Sequence, residues 1–136
     1  MGQYDFVRSS DKIRIFPIGE NEIENAEKRI NFMFPEELRC FYSEIGYGFI
    51  LGSKSFSSLI MSPNLVAAYI CSEDPYEYVD RSVYSDEDLP FFNLSGEDFI
   101  MLRKDGKVDY FGTVIADSFM DFIKKELEHP DYFIGK

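Results

Sequence analysis

Tryptophan is missing from this sequence, histidine occurs once and cysteine twice in 136 residues. The lone histidine, His129, rules out a multi-histidine metal centre. Beside Pro130 it reads as an exposed residue near a helix C-terminus. Two cysteines are too few for a disulfide-stapled secreted domain. Cys40 falls on an apolar helix face and Cys71 ends an apolar run, so both read as small buried hydrophobes and the expected setting is a reducing cytoplasm. Long apolar runs are also lacking. The longest, Leu65 to Cys71, has seven residues, against the roughly 20 a membrane-spanning helix requires. The opening MGQYDFVRSS carries Asp5 and no apolar core of a signal peptide, and Phe6 stands where a myristoylation signal wants Ser or Thr. A soluble chain is expected. No GxSxG, CxxC, HExxH or phosphate-binding glycine loop occurs, and a Cys–His nucleophile pair would need Cys40 or Cys71 beside His129 with no supporting motif.

Positive charge is scarce too. Fourteen basic residues face 25 acidic ones, for a net charge of −11. That field repels nucleic-acid phosphates and anionic membranes and favours a basic partner. What the chain has in quantity is apolar bulk: 45% hydrophobic and 17% aromatic residues, from 14 Phe and 9 Tyr. A chain of this length folds as one domain, residues 1–136 with a core over about 12–127, and buries roughly two-thirds of its unfolded surface without staples.

Periodicity places the elements. A first helix is expected from Glu22 to Ile30, with Asn21 and Glu24 as a capping box and Ile23, Ala26 and Ile30 on one face. A second starts at Pro35, with Leu38, Phe41, Tyr42 and Ile45 in a stripe and Gly46 as a left-handed terminator. Tyr47 to Gly52 and Phe56 to Met61 read as strands around Gly52-Ser53, and Pro63 opens a short helix through Ile70. Phe99 to Leu102 and Val108 to Phe111 form a hairpin around Asp105-Gly106. Asp117 caps a last helix whose face is Phe119, Phe122, Ile123 and Leu127. Helices, then strands, then a terminal helix is an α+β order.

Between the short helix and the hairpin lies an acidic, loop-like stretch. From Glu73 to Asp88 it has seven acids (Glu73, Asp74, Glu77, Asp80, Asp86, Glu87 and Asp88) against Arg81 alone, with Tyr76, Tyr78 and Tyr84 interleaved. Asp86-Glu87-Asp88 offers oxygen ligands to a divalent cation, but the ligand ladder of a calcium-binding loop is absent. No metal or cofactor is therefore expected. As a surface, tyrosines inside an acidic rim suit a basic protein partner, the charge raising association rates and the rings supplying contact area. The alternative is a solvated loop with its tyrosines packed inward.

The segment IENAEKRINFMFPEELRCFYSEIGYGF, Ile23 to Phe49, resembles the opening of the SMI1/KNR4, or SUKH, superfamily. The resemblance rests on Phe34-Pro35-Glu36, Phe41-Tyr42 and Gly46-Tyr47-Gly48 in that order. Leu89-Pro90-Phe91-Phe92 with Gly96-Glu97-Asp98-Phe99 resembles the family's later step into its central hairpin, and Asp117 to Phe122 its closing helix. Residues between Gly52 and Pro90 follow no family pattern. The resemblance implies a single α+β domain with a central, mainly antiparallel β-sheet flanked by N-terminal helices and a C-terminal helix. It also implies a non-enzymatic role. Bacterial members are commonly immunity proteins that bind and neutralise a cognate toxin, often a nuclease, while fungal members are regulatory scaffolds of cell-wall synthesis and signalling. The bare domain points to the bacterial role. An acidic inhibitor would then occlude the cationic groove of a basic nuclease toxin, with the ten acidic and tyrosine residues of the loop as its contacts.

Overall fold

A computed structural model of the chain describes residues 3–51, 58–80, 82, 84, 87–94, 98–130 and 132–133. Among the described residues, elements run in the order α1 (Asp5–Arg8), β1 (Ile13–Phe16), α2 (Glu20–Ile30), α3 (Glu36–Glu44), β2 (Tyr47–Ile50), β3 (Ser58–Ile60), α4 (Pro63–Ile70), β4 (Leu89–Asn93), β5 (Phe99–Leu102), β6 (Val108–Tyr110), β7 (Thr113–Ala116) and α5 (Phe119–Glu128). The seven strands form one sheet in sequence order, every neighbour antiparallel. The domain is α+β with N-terminal helices and a closing helix, as the element order implied.

One face of the sheet is covered by α3 and α5 through aromatic rings. Phe119 and Phe122 of α5 lie 5.2 and 5.4 Å from Phe91, Phe122 lies 5.2 Å from Phe92, and Phe41 of α3 lies 5.3 Å from Phe119. These edge-to-face arrangements suit the ring quadrupole. Tyr42 on α3 is fully buried and spends its one donor on the Met61 carbonyl at 2.7 Å. Burial of that hydroxyl pushes its pKa well above the ordinary tyrosine value.

The core continues upstream of Lys12. Tyr4 and Val7 are fully buried. The backbone N–H groups of Gln3 and Tyr4 both donate to the Glu44 carboxylate at 3.1 Å, and the Tyr4 hydroxyl donates to the Glu37 carbonyl. The N-terminal turn is thus fastened to α3.

Helix starts differ from the sequence reading by one or two residues. α2 begins at Glu20 with extended Gly19 as its N-cap, so Asn21 does not cap it; Glu20 and Glu22 instead oppose the positive helix end. It stops at Asn31, which adopts the left-handed conformation (φ 53°) that Asn tolerates. Pro35 is the cap of α3 rather than its first residue. α5 is capped by Ser118, not Asp117: the Ser118 hydroxyl accepts from the Asp121 N–H at 3.0 Å, and the Asp121 carboxylate accepts from the Asp117 N–H at 3.0 Å. The bond from the Asp117 N–H holds the Asp121 carboxyl below its ordinary pKa, with Lys125 adding to the effect.

Gly46 ends the second helical segment as expected, and its position requires glycine twice over. Its φ is +113°, and a Cβ there would lie 2.2 Å from the Phe16 carbonyl oxygen. β1 crosses this close to the start of β2. In the β5–β6 hairpin Gly106 takes φ +89° while Lys107 N–H bonds the Asp105 side chain at 3.0 Å, the turn its sequence foretold. Cys40 and Cys71, expected to be buried, are half-buried free thiols. His129 is exposed at the C-cap of α5. No helix among the described residues is long and apolar enough to cross a membrane.

Candidate functional site

The acidic stretch leaves α4 at Ser72, whose φ of 56° turns the chain sharply back, and Glu73 N–H closes the turn on the Ala68 carbonyl at 2.8 Å. Glu73 pairs with Arg29 of α2 at the surface. From there the segment lies along the sheet face opposite α5, and its residues divide by side.

Tyr76 and Tyr84 point inward. Tyr76 is 7% exposed, donates to Asn93 Oδ1 at 3.2 Å, and packs its ring 5.3 Å from Phe99. Burial pushes its hydroxyl up to about 12. Tyr84 is half-buried; its oxygen accepts the Phe99 N–H at 2.9 Å and its ring stacks on Phe111 at 5.5 Å. Both fasten the loop to β4 and β5, so the expected array of three outward tyrosines is not formed. Tyr78 alone projects outward, 86% exposed. The physical reason lies in Phe99, whose ring meets Tyr69 of α4 at 4.9 Å. Tyr76 and Tyr84 pack edge-on against the same ring and complete its cover.

The acids lie on the outer side. Glu73, Asp74, Glu77, Asp80 and Glu87 are exposed, and Asp88 is half-buried. Asp86 and Arg81 lie outside the described residues, as do Gly52-Ser53 and Gly96-Glu97. Asp80 is held below the ordinary aspartate pKa by the hydroxyl and N–H of Ser82, at 2.6 and 3.0 Å. Asp88 moves the other way: partial burial, then the neighbouring Asp109, raises it, with Arg103 opposing. Asp109 is buried and accepts from Gly112 N–H at 2.6 Å and Arg103 at 3.5 Å. Tyr84, Asp88, Arg103, Asp109 and Phe111 line a concavity of about 520 Å³. Its carboxylates and stacked rings can receive a cationic side chain. Among the described residues no group of His, Cys, Asp and Glu is placed to hold a metal ion.

Sequence reasoning missed the surface beside this loop. Phe49 and Leu51 are 39% and 44% exposed, on the part of the sheet the acidic segment leaves bare. The alternation of Tyr47, Phe49 and Leu51 about Gly48 was a readable sign of a strand. It says nothing about which side of that strand would remain uncovered.

A seven-stranded antiparallel sheet with two helices inside its first connection and one closing helix is the frame of a known domain class. Residues 17–125 match the model of the SMI1 / KNR4 family (SUKH-1). The chain belongs to that family. It is 32% identical over 139 residues to a Bacillus subtilis (strain 168) protein named Immunity protein YxxD, the alignment covering 96% of this chain and 95% of the relative.

Proposed function

We propose that this protein is a cytoplasmic immunity protein. It binds a cognate toxin and neutralises it by covering the toxin's working surface, with no chemistry of its own. The full-length likeness to Immunity protein YxxD supports the role. The observation that carries the mode of action is the separation of the acidic loop into an inner side, which fastens it, and an outer side of exposed carboxylates. Such a surface, on a chain of net charge −11, is matched by a basic partner. A nuclease domain fits because it must carry a cationic groove for its phosphate substrate.

In this reading Glu73, Asp74, Glu77, Tyr78, Asp80, Glu87 and Asp88 face the toxin, while Tyr76 and Tyr84 hold the loop in position. Co-expression provides the test. Cells producing the cognate toxin are expected to grow only when this protein is produced with it. Equal killing with and without it contradicts the proposal.

A further inference from the structure

The acidic loop covers only half of its sheet face. Arg14, Phe49, Leu59 and Asn93 are successive partners across β1, β2, β3 and β4, and in an antiparallel sheet directly paired residues stand on the same side. Asn93 is covered by Tyr76. Phe49 is not. Phe16 and Tyr47, also paired and half-buried, stand on the same side, their rings stacked at 5.3 Å with Phe49 edge-on to Phe16 at 6.0 Å. Leu51 N–H bonds the Lys12 carbonyl at 2.7 Å, which carries the ladder and its alternation one step beyond β2.

The bare half borders the acidic loop directly. Leu59 shares a concavity of about 460 Å³ with Leu65, Tyr76, Tyr78, Val79 and Asn93, so the boundary falls where Tyr78 projects into solvent. On one side of it stand Glu73, Asp74, Glu77 and Asp80; on the other stand three aromatic rings and two leucines, with exposed Arg14 beside them.

We infer that this uncovered part of the sheet over β1–β3 is the apolar centre of the toxin contact, with the acidic loop as its charged rim. The inference rests on the immunity reading above. Protein interfaces place aromatic residues at a desolvated centre, where a few side chains carry most of the affinity, and surround them with a polar rim. The partner that fits is a basic protein domain, its apolar side chains set against Phe49 and its Lys and Arg side chains against the loop. A second copy of this chain does not fit. Two bodies of charge −11 would bring acidic rims together, and like-charge juxtaposition opposes association.

Phe32 and Met33, an exposed apolar pair at 50% and 69%, supply the control. The pair lies between α2 and α3 beside Glu24, Lys28 and Arg39, a mixed-charge setting without an acidic rim. The probe is the purified, inactivated domain of the cognate toxin. Phe49→Asp and Leu51→Asp, made separately at partly exposed positions, are each expected to stay folded at the assay temperature, checked by circular dichroism. Phe49→Asp is expected to weaken toxin binding about thirtyfold or more, and Leu51→Asp in the same direction. Phe32→Asp with Met33→Asp is expected to leave binding unchanged. A wild-type complex that both sheet-face variants bind equally well overturns the inference and spares the immunity reading. Failure of the wild-type protein to bind overturns both. A wild-type dimer in sedimentation that Phe49→Asp dissociates also overturns it, because the face would then be occupied by a second copy.

Discussion

Replacing Phe119 by alanine is expected to destabilise the domain by about 3–5 kcal/mol, the usual cost of truncating a buried phenylalanine. Phe119 opens α5, is fully buried, and its ring lies 5.3 Å from Phe41, 5.2 Å from Phe91 and 6.2 Å from Tyr4. Those rings come from α3, β4 and the N-terminal segment, so the cavity would open where three parts of the chain meet. Its N–H also donates to Glu37 Oε1 at 3.1 Å, a bond the substitution keeps, which confines the effect to packing. Domains of this kind are stable by about 5–15 kcal/mol, so the loss is a large share of the whole. Urea unfolding followed by circular dichroism should show a lower midpoint with an unchanged slope. Phe32→Ala, at a half-exposed ring, should stay within about 0.5 kcal/mol of wild type.

The second large effect is kinetic. Asp74 and Glu77 are exposed on the outer side of the loop. Changing both to lysine adds two charges per site and moves the net charge from −11 to −7. If the loop steers a basic toxin, association should slow about ten- to a thousandfold at low salt, with dissociation altered far less. The difference between variant and wild type should shrink as salt rises, since the screening length falls to about 3 Å at 1 M. Stopped-flow mixing with the inactivated toxin domain at several salt concentrations measures this. An association rate equal to wild type at low salt would remove the loop from the encounter surface.

Much of the fold was legible because its signals are local. The apolar stripe Leu38, Phe41, Tyr42 and the Asp105-Gly106 turn are specified by residues a few positions apart, and both stand where the sequence placed them. α1, β1, β4 and β7 were not read. β4 is LPFFN, buried on both sides along most of its length, with a register shift between Pro90 and Phe92. That irregularity admits a proline to a central strand and turns both Phe91 and Phe92 toward α5, erasing the alternation that marks a strand. α1 is a single turn held by long-range bonds from Tyr4 and Gln3 to α3, and no local pattern encodes those.

The candidate site was legible in charge and not in orientation. Sequence places seven acids together; it does not reveal that the Phe99 ring, already met by Tyr69 of α4, draws Tyr76 and Tyr84 inward. The bare aromatic face escaped for the same reason. Phe49 and Phe92 are both strand phenylalanines, and only tertiary packing exposes one and buries the other.

If the protein acts by covering its partner, its effect must be stoichiometric. Titrating it into a fixed amount of active toxin domain, with toxin activity as the readout, should give inhibition that rises linearly and saturates at one molecule per toxin, both chains being recovered intact. Complete inhibition by a small fraction of an equivalent, or toxin recovered cleaved or modified, would mean that the protein turns its partner over and does not occlude it.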